Sequence, residues 1–184
     1  MTYAPSRWDI LRRESVFLEP PIFHIERQRY RQTESGREGN FYVIACPEWV
    51  QIVPVTKDNK LVLVRQFRFG SRQISLETPG GIVDSGESIE DAARRELREE
   101  TGFAAATLRP VATLRPNPAI QDNRLHIVLA EGCELAGEQQ LDPYEEISIA
   151  LFEVDGAYEQ IRCGAIDHAL AIVALLLARP LLSN

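Results

Sequence analysis

The sequence predicts an α/β (α+β) sandwich, a mixed sheet between helical layers, with a short all-β segment ahead of it. Three features point there. Beyond residue 48, strand-like apolar runs and helical stretches follow one another, the pattern of a layered domain. The run LVLV at 61–64 is continuously apolar, as in a strand covered on both faces. Before residue 48 the β-prone runs have no helical partner.

In chain order, VFLEPPIFHIERQRYRQ and NFYVIAC are β-prone and are broken by Pro20, Pro21 and the polar loop TESGREG. Such strands cannot bury both faces alone and need a neighbouring domain or a second subunit. EWVQIVPVT, a turn at KDNK and LVLVRQFRFG then form a predicted hairpin, followed by QISLETPGG. A helix is predicted from about Ser88 to Thr101. Ser88 can cap it, Glu90 and Asp91 suit its positive end, and Gly102 is placed to stop it. Further strands are expected in ATLRPNPAI and RLHIVLAEG, a loop in EQQLDPYEE, a strand in ISIALFEV, and helices around DGAYEQIRCG and AIDHALAIVALLLARP. The resulting division is an N-terminal β extension, 1–48, and a second domain, 49–184.

A chain of 184 residues with 45% hydrophobic content can fill one core. The net charge of -7 and pI near 5.1 argue against a broad basic face for nucleic acid. An anionic ligand therefore needs local help from a cation or a few arginines. Cys46, Cys133 and Cys163 are far apart, odd in number and include no CxxC, which argues against a disulfide framework or a zinc site. They are expected as core or subsurface thiols. The N-terminus lacks a signal-peptide layout, and ALAIVALLLA is too short for a bilayer, which takes roughly 20 residues. That run is expected as a buried helix of a cytoplasmic protein. His24, His126 and His168 show no ligand spacing and are expected as core or surface histidines. Trp49 either joins the core or stacks on a base.

The predicted helix has an unusual charge pattern. Arg94, Arg98, Asp91 and Glu90 fall on one side, whereas Glu96, Glu99 and Glu100 share the other with Ile89, Ala92, Ala93 and Phe103. Three neighbouring glutamates thus occupy the face that the apolar pattern marks for burial. Two bare carboxylates about 4 Å apart repel by roughly 4 kcal/mol at an effective dielectric of 20, so something cationic must sit among them. Arg95 could satisfy one. An oxygen-only cluster is also what a hard divalent ion prefers.

Residues 81–103 resemble the Nudix box, with Gly81, Glu87, Arg95, Glu96, Leu97, Glu99, Glu100, Gly102 and Phe103 filling its defined positions. The resemblance implies a Nudix α/β/α sandwich and a pyrophosphatase. It implies that Glu96, Glu99 and Glu100, with the carbonyl of Gly80, bind Mg²⁺ or Mn²⁺, and that Glu87 and Arg95 hold those glutamates in place. The metals would bridge a diphosphate and activate water for attack on phosphorus. TPGG then supplies a turn whose backbone faces the phosphates.

Outside the box, the N-terminal strands, LVRQFRFG and LETPGG are similar to the ADP-ribose pyrophosphatase and nucleoside diphosphate sugar branch, in which extra strands pair two subunits. The resemblance therefore implies a homodimer acting on a nucleoside diphosphate sugar, with no nucleic-acid or membrane partner. Pro118, 16 residues beyond Gly102, matches a mark of that branch, although Ala119 and Asn123 depart from the residues usual around it. DPYEEI is similar to the loop that supplies a catalytic base, with Glu145 and Glu146 as the two candidates. Arg65, Arg68 and Arg72 follow an apolar strand and could hold phosphates or a sugar, Arg68 foremost. Glu77 could contact a ribose hydroxyl across the dimer. The alternatives are a Nudix hydrolase of dinucleotides or nucleoside triphosphates, and a Nudix domain that binds ligand without cleaving it.

Overall fold

The computed structural model describes residues 8–19 and 23–182. Pro20 and Pro21, expected to divide the first two strands, lie outside the described residues.

The chain divides into two units, residues 1–47 with 115–124 and residues 48–114 with 125–184. In the first, β1 (Trp8–Glu19), β2 (Phe23–Gln32) and β3 (Glu38–Ala45) form an antiparallel sheet in the order β1-β2-β3. Strand β1 starts earlier than the sequence pattern suggested, because its first residues alternate charged and apolar side chains without a strongly β-prone run. The loop 115–124 belongs with this sheet, through the Ile44 amide donating to the Ile120 carbonyl at 2.7 Å and the Cys46 amide donating to Asp122 Oδ1 at 3.2 Å.

The second unit is built on a mixed sheet. Its strands are β4 (Trp49–Thr56), β5 (Lys60–Arg68), β6 (Gln73–Glu77), β7 (Gly80–Ile82), β8 (Phe103–Ala104), β9 (Thr107–Leu114), β10 (Leu125–Leu135) and β11 (Ile147–Glu153). The main path runs β11-β5-β4-β10-β8, with β6 on β5, β7 on β4 and β9 on β10. Only the β4 and β10 pairing is parallel among these ladders. Helices α1 (Ile89–Thr101), α2 (Val154–Arg162) and α3 (Ala169–Ala178) cover the sheet.

Side chains alternate between two cores, as strand period demands. Val50, Ile52, Val62, Val128 and Ala130 pack with Ala92, Ala93 and Leu97 of α1. Val53, Leu61, Leu63, Ile127 and Leu129 pack with Ala157 and Tyr158 of α2 and Ala171, Ala174 and Leu175 of α3. Leu61 to Val64 are fully buried, as the LVLV run predicts.

The sheet splits at its centre. Strands β4 and β5 share only the Val55 and Leu61 pair, beside Pro54, which has no N–H to continue a ladder. Beyond the split, β7 takes the free edge of β4 and β6 that of β5.

Three local expectations differ. The strand expected in ATLRPNPAI lies earlier, at Thr107–Leu114, and the rest is a turn closed by the Gln121 amide on the Asn117 carbonyl at 2.8 Å. Pro110 is tolerated inside β9 because the register against β10 shifts there. Helix α3 is not wholly buried: Leu176 and Leu177 are exposed because it covers one face of the sheet and has solvent beyond. Cys163 is exposed rather than subsurface, at the end of α2.

Candidate active site

Helix α1 positions most of the site. The Ser88 hydroxyl accepts the Asp91 amide at 3.1 Å, and Gly102 ends the helix at φ 70°, a conformation open to glycine. Burial of Ala92, Ala93 and Leu97 against the sheet fixes the rotation of the helix. Glu100, one turn beyond Leu97 and Glu96, is carried into the same face and is only 4% exposed. Glu96 is half-buried, and Glu99 is the most open of the three.

Strand β7 brings a glycine pair against them. A Cβ on Gly80 would strike the Val50 carbonyl oxygen, and one on Gly81 would strike the Glu96 carboxylate. The Gly80 amide donates to Glu100 Oε2 at 2.9 Å.

Arg95 joins the rest. Its Nε and Nη2 fork onto Glu87 at 3.0 and 2.9 Å, and Nη2 also reaches the Ile82 carbonyl at 2.9 Å. Its Nη1 donates to Glu96 Oε1 at 2.8 Å and Glu99 Oε2 at 3.2 Å. That pairing with Arg95 holds Glu87 below the ordinary carboxylate value. Glu96 is pushed above it, chiefly by burial, with Arg95 opposing and the charges of Glu99 and Glu145 adding. Burial likewise pushes Glu100 up to about 8, against the Gly80 amide and Arg68 and with Glu96 and Glu145 adding.

Glu145 is thus the member of the expected pair whose charge bears on both Glu96 and Glu100. Its loop is tied to the carbonyls that α1 leaves unpaired at its end. The Gln140 amide donates to Glu99 O at 2.9 Å, the Ala136 amide to Gly102 O at 2.8 Å and Gln139 Nε2 to Glu100 O, while Gln139 Nε2 also reaches Ile147 O of β11 at 3.2 Å. The Asp142 amide donates to Glu145 Oε2 at 3.1 Å, which fixes that carboxylate within its turn. The two glutamines were not singled out in the sequence. Nothing local marks them, since their partners lie on another element.

Glu77, at the end of β6, is fully buried and accepts a fork from Arg68 Nε at 2.8 Å and Nη2 at 3.0 Å. A ribose hydroxyl would therefore meet a carboxylate already engaged. Arg68 shares the face of β5 with Val62, on the α1 side, whereas Arg65 stands on the opposite face and is not brought to the box. Arg72 lies in the turn after β5, its amide bonded to the Arg68 carbonyl at 2.8 Å. Pro118 belongs to the other unit, in a cleft with Arg13, Gln28, Tyr30 and Val43. Trp49 packs against the α2 and α3 core. His126 binds Glu48 at 2.7 Å and Thr113 at 3.1 Å, a structural role, and His24 faces Glu26 at 3.2 Å.

No three acidic, histidine or cysteine side chains among the described residues converge as an ion's ligands. Arg95 draws Glu96 and Glu99 together, while the Gly80 amide holds Glu100 apart. The donor set nevertheless fits a hard divalent cation. All its atoms are oxygens, and one guanidinium serves Glu87, Glu96 and Glu99 while Glu100 has only a backbone amide and a distant Arg68.

The NUDIX domain family model matches residues 48–171. The chain is 28% identical over 142 residues to the ADP-ribose pyrophosphatase of Bacillus subtilis (strain 168), covering 77% of each. It is 38% identical over 84 residues to the ADP compounds hydrolase NudE of Escherichia coli (strain K12), covering 46% of this chain and 45% of that one. A crystal structure of an ADP compounds hydrolase superposes with a TM-score of 0.84 at 26% identity, over 97% of this chain and 96% of that one.

Proposed function

The chain belongs to the Nudix family, in its ADP-ribose pyrophosphatase branch, as a pyrophosphatase that hydrolyses nucleoside diphosphate derivatives, and from that premise we propose that its substrate is ADP-ribose or a related nucleoside diphosphate sugar and its cofactor Mg²⁺ or Mn²⁺. The observation that carries the cofactor is Glu100, a buried carboxylate left without a full cationic partner beside Glu96.

On this reading the Gly80 carbonyl, Glu96, Glu99 and Glu100 would hold the cation, which would supply charge neutralisation for the diphosphate and polarisation for the attacking water. Arg95 keeps Glu96 and Glu99 aimed, and Glu87 keeps Arg95 in place. Glu145 takes the proton from the water that attacks phosphorus, a role its exposure and its closeness to Glu96 and Glu100 support. Arg68 offers the N–H groups not engaged by Glu77 to the diphosphate. Scission leaves a nucleoside monophosphate and a sugar phosphate. The enzyme works as a cytoplasmic homodimer through residues 1–48, which exposed Phe41 and Tyr42 on β3 support. A wider preference for ADP-linked compounds is favoured by the likeness to an ADP compounds hydrolase and by Ala119 and Asn123.

A phosphatase-coupled release assay with Mg²⁺ against ADP-ribose, ADP-glucose, GDP-mannose, NADH and nucleoside triphosphates tests this directly. ADP-ribose or a nucleotide sugar should turn over fastest, and EDTA should abolish activity. Glu145→Gln should lose about 100-fold or more in kcat while Glu146→Gln stays near wild type. Preference for nucleoside triphosphates, or equal loss in the two variants, would overturn the respective assignment.

A further inference from the structure

His168, a neighbour of the Arg68 and Glu77 pair, has no part in the proposed chemistry. Glu77 Oε2, bonded to Arg68 Nη2 at 3.0 Å, also lies 3.4 Å from Nδ1 of His168. The same Nδ1 accepts the Ala171 amide at 3.4 Å as the N-cap of α3. These neighbours make opposite demands. An amide N–H needs a lone pair on Nδ1, whereas a carboxylate oxygen needs a proton there. The ring satisfies one of them in each protonation state.

Neutral and unprotonated at Nδ1, His168 caps α3 and leaves Glu77 to Arg68. Once protonated there, it donates to Glu77, gives up the cap and takes a share of the carboxylate that anchors Arg68. Arg68 is the exposed partner of the pair, with about 40% of its side chain open against none of Glu77. It stands on the α1 face of β5, and its charge bears on Glu100.

We propose that His168 is a positioning residue, whose protonation loosens the Glu77 grip on Arg68 and so weakens the hold on the substrate diphosphate. The proposal rests on the reading of Arg68 as a diphosphate ligand. The groups facing the ring are Glu77 from β6, Arg68 from β5, the neighbouring Asp167 and the amide end of α3. Burial pushes His168 below its ordinary value first, with Glu77 and Asp167 opposing and Arg68 adding. The positive end of α3 acts in the same direction as burial. The ring is therefore neutral at neutral pH, where the Ala171 amide donating to Nδ1 marks the capping tautomer, and the shared state appears on acidification.

The test compares wild type with His168→Asn, which keeps a side-chain cap and never becomes charged. KM and kcat for ADP-ribose are measured with saturating Mg²⁺ from pH 5 to 8, and the ring nitrogens of the metal-free protein are followed by NMR. The wild-type KM should rise about tenfold toward pH 5 and stay flat in the variant, while kcat follows one profile in both. The NMR signal of Nδ1 should change from unprotonated to protonated over the same range. An equal rise of KM in the variant would sink the proposal, as would an Nδ1 protonated at every pH. Absence of turnover in wild type at pH 8 would count against the substrate reading alone, and the ring titration would then decide for or against His168.

Discussion

Replacing Glu100 by Gln should stabilise the metal-free protein while destroying its activity. Glu100 is 4% exposed, and its carboxyl moves from an ordinary value of 4.5 to about 8 in the fold. A carboxyl raised on folding favours the fold while protonated, so its contribution is complete below 4.5 and is lost as pH rises toward 8. The loss is about 1.4 kcal/mol per pH unit in that window, or roughly 3 kcal/mol at pH 7. Glutamine copies the protonated form, with an oxygen to accept the Gly80 amide and a donor where the acid O–H would be. Urea denaturation in EDTA from pH 5 to 8 measures the difference. The two proteins should coincide near pH 5 and diverge steadily, with the variant more stable by roughly 3 kcal/mol at pH 7. Mg²⁺ should then stabilise wild type and leave the variant nearly unmoved. Parallel stability curves for the two proteins, or a variant that is the less stable at pH 7, would refute the view that Glu100 is held protonated at a cost until a cation displaces the proton.

Two more outcomes follow from the same packing. Gly81→Ala puts a methyl into the Glu96 carboxylate, so kcat/KM should fall by about 100-fold in the coupled assay with circular dichroism unchanged, because the displaced group is a proposed ligand rather than a core side chain. Arg95→Lys keeps the charge but cannot span Glu87, Glu96, Glu99 and the Ile82 carbonyl, so denaturation should show a loss of about 2 to 4 kcal/mol and activity should drop by 10- to 100-fold.

Much of α1 was legible because its determinants are local. The Ser88 cap, the Gly102 stop and three glutamates on an apolar stripe lie within one short stretch, and the helix forms from Ile89 to Thr101 as they require. Strand β9 was misplaced because it contains Pro110, whose tolerance depends on a register shift against β10 that only the partner strand reveals. Glu145 bears on Glu96 and Glu100 from a loop that Gln139 and Gln140 tie to the end of α1, a contact between distant segments. Likewise His168 carried no motif, and its contact with Glu77 spans elements far apart in the chain. Those features belong to pairings between segments, which residue pattern does not encode locally.

The split between β4 and β5 sets a limit on chain length rather than on residue identity. Gln73–Glu77 is held in register with β5 and Gly80–Ile82 with β4, and Thr78 and Pro79 are the whole connection between the two ladders. Both ends are pinned, so an inserted or deleted residue has nowhere to be absorbed. A slip of one position would turn Glu77 away from Arg68, or draw Gly80 off the carboxylate it donates to. Away from Glu77, Gly80 and Gly81, variants of this segment should therefore tolerate several exchanges of side chain before they tolerate a single change in its count.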